Sequence, residues 1–144
     1  LKEYALNKNN ITLLIELPYT GSVLGLKDFF WRLRGDGFIP IISHIERYPY
    51  LGLEDYQQLR NGGVYFQSNI GSFLGNYGVA VKNKALALLE NHLISVLASD
   101  VHNLSDYHDF ANTKRKLEKM IPAHELQLYF DINPENAIQG KEFE

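Results

Sequence analysis

The sequence predicts an α/β fold in which about four parallel strands alternate with helices. Three observations predict it. Short apolar runs recur at Thr12–Leu17, Ile39–Ser43, Val64–Gln67 and Ile94–Ser99. Segments of helical periodicity and short loops lie between them, which is the pattern of βαβ units. Each run also ends in side chains able to bind a metal or a phosphate: Glu16 at the first, His44, Glu46, Arg47 and Tyr48 at the second, Ser68 and Asn69 at the third, Asp100 and His102 at the fourth. In a barrel of parallel strands all such ends share one face. Glu16, His44, Asn69, Asp100 and His102 are therefore expected to converge. Any one of these ends, taken alone, serves equally as a solvated polar loop.

Composition narrows the function classes. With 144 residues, 45% hydrophobic and 22% charged, the chain is ordinary for one globular domain with a core. Net charge is −3 with no basic block, so nucleic-acid binding has little electrostatic support. The absence of Cys excludes a disulfide framework, a thiolate nucleophile and a cysteine zinc site, and is compatible with a cytoplasmic protein. No apolar run approaches the roughly 20 residues that span a bilayer, and no signal peptide is visible. The opening LKEYALNKNN has no initiating Met and reads as the end of a preceding element. The expectation is a fragment without its N-terminal part.

In chain order, Asn7–Asn10 has turn character and the first strand covers Ile11–Leu17. An unpaired carboxylate in such a run is costly, so Glu16 must pair with a cation, find donors, or lie at the strand's open end. The alternative is an edge-strand Glu facing water. Ser22 is expected to cap a helix through about Arg34, with Val23, Leu24, Leu26, Phe29, Phe30 and Leu33 as its apolar face and Gly35 and Gly37 ending it. Trp31 reads as packing over that face. A second strand at Ile39–Ser43, a turn at Pro49–Gly52 and a helix over Glu54–Asn61 follow. Ile70–Gly78 contains three glycines but lacks the Gly-Lys-Ser/Thr ending of a Walker loop, and is expected to be a turn.

The next helix is expected at Val79–Asn91, with Ala85, Leu86, Leu88 and Leu89 buried and His92 beside its C-terminal dipole. After the fourth strand, Asp100 and His102 are two residues apart. In an extended segment they point the same way and can aim at neighbouring metals. His108 is expected on the surface, Asn112–Met120 as a lysine-rich solvated helix, and His124 as a structural residue before a helix through Leu128–Phe130. Asn133-Pro134 starts a last helix, Glu135–Gln139.

These residues carry a resemblance. His44-Ile45-Glu46-Arg47-Tyr48 resembles the His-Pro-Glu-Arg-Tyr signature of the PHP-superfamily protein-tyrosine phosphatases, the bacterial manganese-dependent enzymes of capsule and exopolysaccharide operons. Leu14-Ile15-Glu16-Leu17-Pro18, Gln67–Ser72 with Gly75 and Tyr77-Gly78, Ala98–Asn103, and Asn133-Pro134 with Gly140-Lys141 match in the same order. The resemblance implies part of a distorted seven-stranded, TIM-like (β/α) barrel with a metal cluster at the strand C-terminal ends. It implies Glu16 as a bridging carboxylate and His44, Asp100 and His102 as further metal ligands. Arg47 is implied as the phosphate contact, with Glu46 beside it as catalytic and Asn69 joining it in substrate binding.

The implied cofactor is Mn²⁺, with Fe, Zn or Mg as substitutes, and the implied partner is a phosphotyrosine protein such as the tail of a bacterial tyrosine autokinase. Three features depart from the family. Its upstream His-x-His ligands have no counterpart here, Ile45 stands in place of Pro, and Asn103–Phe110 contains no second phosphate-binding Arg, with Tyr107 or His108 near its place. Two rival readings stay open: a PHP phosphoesterase for a small-molecule phosphate, and a non-catalytic remnant.

Overall fold

In the computed structural model, which describes residues 1–8, 11–102 and 110–144, the apolar runs pair as strands. They are β1 (Thr12–Ile15), β2 (Ile39–Ile42), β3 (Tyr65–Asn69) and β4 (Val96–Ala98). All pairs are parallel and the sheet order follows the chain, β1-β2-β3-β4. Thr12 lies opposite Ile39, Ile41 opposite Tyr65, and Asn69 opposite Ala98. Strands that neighbour in both sequence and space, with helices as crossovers, are how a (β/α) barrel winds.

Pro40 occupies the middle of β2, which is paired on both sides, a place proline usually avoids. The hydrogen bonds explain the tolerance. Ile39 and Ser43 donate to Ile11 and Ile15 on the β1 side, so the Pro40 nitrogen faces β3. Pairing there begins only at Ile41, and no ladder bond is lost.

Alternation then sorts the side chains. Leu13, Ile42, Phe66 and Leu97 join the main core. That core is built with α1 (Leu26–Gly35) through Phe30 and Leu33, α2 (Leu53–Asn61) through Tyr56 and Leu59, α3 (Ile70–Leu74) through Ile70 and Phe73, α4 (Val79–Glu90) through Ala85 and Leu88, and α5 (Phe110–Leu117) through Leu117. Ile39, Ile41 and Tyr65 face the other way into a smaller cluster with Ala137 and Phe143.

Several elements differ from expectation. The first helix starts at Leu26, after Gly25 in a left-handed conformation at φ 74°. The Ser22 hydroxyl accepts from the Leu24 N–H instead, a local turn that competes with capping. Of the expected apolar face only Phe30 and Leu33 are buried, while Leu24 is 91% exposed. Trp31 is half exposed, and its indole lies against Gly62, where any Cβ would collide with it. The Ile70–Gly78 segment is not simply a turn. Buried Ile70 and Phe73 hold α3 against the core, and Gly75 at φ 86° ends it. Leu86 and Leu89 are only half buried.

The two C-terminal helices, α6 (Ala123–Gln127) and α7 (Asn133–Gln139), are joined by a wide helical turn at Leu128–Ile132. His92 and His124 are exposed. Expectations for Asn9, Asn10, Asn103, Tyr107 and His108 fall outside the described residues. Among those described, no helix is long and apolar enough to cross a membrane.

Candidate active site

The period of two continues past the strand ends and places the polar residues. Glu16, Ser43, Gln67, Ala98 and Asp100, with Leu14 and His44, line one cleft of about 380 Å³. Ser68 points to the opposite side. The apolar strand bodies thus fix which polar neighbours face the cleft.

His44 follows β2 in a left-handed conformation, φ 33° and ψ 53°, which costs a non-glycine residue about 1 kcal/mol. Its backbone N–H donates to Gln67 Oε1 at 2.7 Å. Its ring is 5% exposed. Nε2 stands 3.4 Å from Glu16 Oε1, and Nδ1 is buried without a hydrogen-bond partner. Glu16 itself is well exposed, with 59% of its side chain accessible, so it lies at the open end of the strand and meets an imidazole there.

A polar chain crosses the next two strand ends. Gln67 Nε2 donates to Asn69 Oδ1 at 2.8 Å, and Asn69 Nδ2 donates to Asp100 Oδ2 at 2.9 Å. Asn69 is completely buried. It orients Asp100, and its amide is engaged by Gln67 and Asp100 in this arrangement. Asp100 is itself left-handed at φ 52°. That turn breaks the alternation on which the Asp-x-His reading depended. His102 consequently leaves the cleft: its side chain is 80% exposed, and Nδ1 lies 2.8 Å from the Asp100 backbone oxygen. Glu16, His44 and Asp100 line one cleft, with Glu16 and His44 in contact, while the His102 side chain is exposed.

Glu46 lies apart from the cleft. It is 1% exposed and turned to the opposite side of the sheet. There its carboxylate accepts from Ser68 Oγ at 2.7 Å, the Asn69 N–H at 3.0 Å and Ser72 Oγ at 2.6 Å. These bonds anchor the one-turn helix Ile45–Arg47 to β3 and α3. Tyr56 strengthens the anchor by donating to Ile45 O at 2.5 Å, and Tyr48 accepts from the Leu17 N–H at 2.9 Å. Burial pushes the Tyr48 phenol up to about 12. With Glu46 held on one side, Arg47 is delivered to the other. Its Nη1 lies 3.7 Å from Asp100 Oδ2, and its guanidinium carbon sits over the Tyr19 and Tyr77 rings, 4.8 and 5.1 Å from their centroids.

Gln67, Ser72 and Tyr77 entered the sequence analysis only within matching segments, without a role, and Tyr19 did not enter it. A signal existed for one of them. Gln67 closes the apolar run Val64–Gln67 and stands two before Asn69, on the same side of an extended segment.

The donor set can be tested for metal binding. Two ligands of one ion, each bonded near 2 Å, lie within about 4 Å of each other, as Glu16 and His44 do. Carboxylates with a buried, unpartnered imidazole suit a hard divalent ion. Among the described residues, however, no three His, Cys, Asp or Glu side chains are close enough to hold one. The residues fit part of a metal centre and not a closed one.

The family model described as capsular polysaccharide synthesis, CpsB/CapC, matches residues 2–139. CapC of Staphylococcus aureus is 29% identical over 121 residues, 83% of this chain and 45% of that protein. The tyrosine-protein phosphatase YwqE of Bacillus subtilis is 33% identical over 94 residues, 64% of this chain and 37% of that one. Solved structures of YwqE and of CpsB from Streptococcus pneumoniae, described as metal-dependent tyrosine phosphatases, include a match with a TM-score of 0.75 and 26% identity. That match covers 96% of this chain and 57% of the solved one. The chain thus spans less than half the length of these curated relatives.

Proposed function

Because the chain belongs to the CpsB/CapC family of capsular polysaccharide synthesis, we propose that it is the C-terminal part of a PHP-type phosphatase domain that removes phosphate from tyrosine in proteins. One observation carries this reading. At the C-terminal ends of successive parallel strands, Glu16 meets His44 at 3.4 Å and Arg47 approaches Asp100 at 3.7 Å. Carboxylate and imidazole are metal donors, a guanidinium is a phosphate donor, and one region holding both suits metal-assisted hydrolysis.

Glu16, His44 and Asp100 would hold the divalent ions, manganese first and Fe, Zn or Mg as substitutes. His102, exposed beside the cleft in this arrangement, would have to turn inward to serve as a further ligand. Bound ions would contribute Lewis acidity and a nucleophile usable at neutral pH. Arg47 binds the phosphoryl oxygens and stabilises the charge that builds on them. Asn69 and Gln67 hold Asp100 and the His44 backbone, and Glu46 holds the turn that aims Arg47. The substrate we infer is the tyrosine-rich tail of a bacterial autokinase that controls capsule or exopolysaccharide synthesis in the cytoplasm. The lack of a three-ligand group among the described residues favours a second reading, a non-catalytic remnant.

Arg47 separates the two. In the complete domain, Arg47→Ala is expected to lower kcat/KM on a phosphotyrosine peptide by about 2–4 kcal/mol of transition-state stabilisation. The melting temperature should barely move, and Arg47→Lys should recover only part of the activity. Normal turnover per folded molecule in a destabilised Arg47→Ala protein would contradict the phosphate role. No turnover in the wild-type domain would favour the remnant.

A further inference from the structure

Arg47 reaches the mouth of the cleft on a flexible stem, and a free Arg side chain loses about 2 kcal/mol of rotamer entropy when a ligand fixes it. The structure shows what fixes it beforehand. Its guanidinium carbon lies over two aromatic rings at once, 4.8 Å from the Tyr19 centroid and 5.1 Å from that of Tyr77. Among the described residues the guanidinium makes no hydrogen bond, and its charged neighbour Asp100 is 3.7 Å away. A guanidinium held by its faces keeps its in-plane N–H fork open for an anion.

Both rings have their own reasons to stay in place. Tyr19 stacks on the buried His44 ring, centroids 5.8 Å apart and planes 13° from parallel. Tyr77 packs beside Gly71 on α3, where an added Cβ would come within 3.4 Å of the ring. Tyr19 and Tyr77 nevertheless remain 43% and 40% exposed, more than core packing alone would leave them.

We propose that Tyr19 and Tyr77 are positioning residues that seat Arg47 and present its N–H fork to phosphate. This rests on the phosphatase reading for its function but not for its geometry. Stacking on His44 also makes Tyr19 the shared wall between a metal ligand and the phosphate donor. Displacement of this one ring would disturb both.

Two experiments test it. In the 144-residue chain, the Arg47 Nε–H resonance should carry a ring-current shift. Tyr19→Ala and Tyr77→Ala should each reduce that shift, while Tyr19→Phe and Tyr77→Phe keep it. A resonance indifferent to both Ala substitutions would overturn the proposal. In the complete domain with Mn²⁺, each Ala variant should lower kcat/KM on p-nitrophenyl phosphate about tenfold, and the Phe variants should stay within about twofold of wild type. The inhibition constant of inorganic phosphate, which has no ring, should rise by a similar factor. A loss confined to the aryl substrate would make the tyrosines a seat for the substrate ring and overturn the positioning role. A wild-type domain with no turnover sinks the phosphatase reading, and the resonance alone then decides whether the rings seat Arg47.

Discussion

At the scale of single residues, Glu46 shows how burial changes the meaning of a motif. In the sequence it stands between a metal-capable His and a phosphate-capable Arg, and chemistry alone groups the three. In the structure it is the anchor, with three donors and no access to the cleft. Glu46→Ala would leave two hydroxyls and a backbone N–H without their partner. That should cost about 3 kcal/mol or more, read as a lowered urea midpoint. A midpoint unchanged from wild type would mean the three donors find water or other acceptors. The neighbouring positions were more legible. That Glu16, His44 and Asp100 line one cleft was legible, because the ends of parallel strands share a face. His102 was misplaced because the left-handed turn at Asp100 leaves no mark in composition or spacing.

At the scale of elements, Lys84 ties α4 to the loop after Arg47. Its ammonium donates to Tyr48 O and, at 2.7 Å, to Leu51 O. Burial holds its pKa down at about 8. A lysine with a lowered folded pKa binds fewer protons folded than unfolded between that value and the ordinary lysine range. Stability therefore rises with pH across that window. The urea midpoint of the wild type should increase between about pH 7 and about pH 9, and Lys84→Met should show no such rise. Equal pH profiles would show that Lys84 is solvated. Elements themselves were legible where periodicity was strong, as in β2 and α4. The start of α1 was not, because the Ser22 hydroxyl serves the Leu24 N–H in a way a capping pattern does not distinguish. Nor was α3, whose helix depends on Ile70 and Phe73 finding the core.

At the scale of the whole molecule, the four-strand parallel sheet in chain order was readable from alternating strand and helix patterns. The two-sided burial of the strands follows from the same source, since Ile39 and Ile41 turn away from Ile42 by simple alternation. The closing of the second face by Ala137 and Phe143 was not readable, because contacts between β2 and the chain's last turn have no local signature. The same limit applies to the site. The cleft gathers two carboxylates and an imidazole, and no local pattern reveals which other side chains adjoin them.

Burial also shapes the alkaline limit of the molecule. Tyr48, Tyr56 and Tyr129 all have phenols raised by desolvation. The unfolded chain loses those protons first, so stability should fall once pH passes the ordinary tyrosine range of about 10. Phenolate absorbance that appears only together with unfolding would match this. Ionisation of all tyrosines in the folded state at that pH would not.

The most direct measurement of the assigned role is phosphate release from a phosphotyrosine peptide by the complete domain, followed as Mn²⁺ is added to metal-stripped protein. Wild-type activity is expected to rise from near zero and saturate. Glu16→Gln, which removes a carboxylate charge from the pair with His44, is expected to need at least about tenfold more Mn²⁺ for half-activation. Full activity in stripped protein, or identical Mn²⁺ curves for wild type and Glu16→Gln, would contradict a metal site at these strand ends.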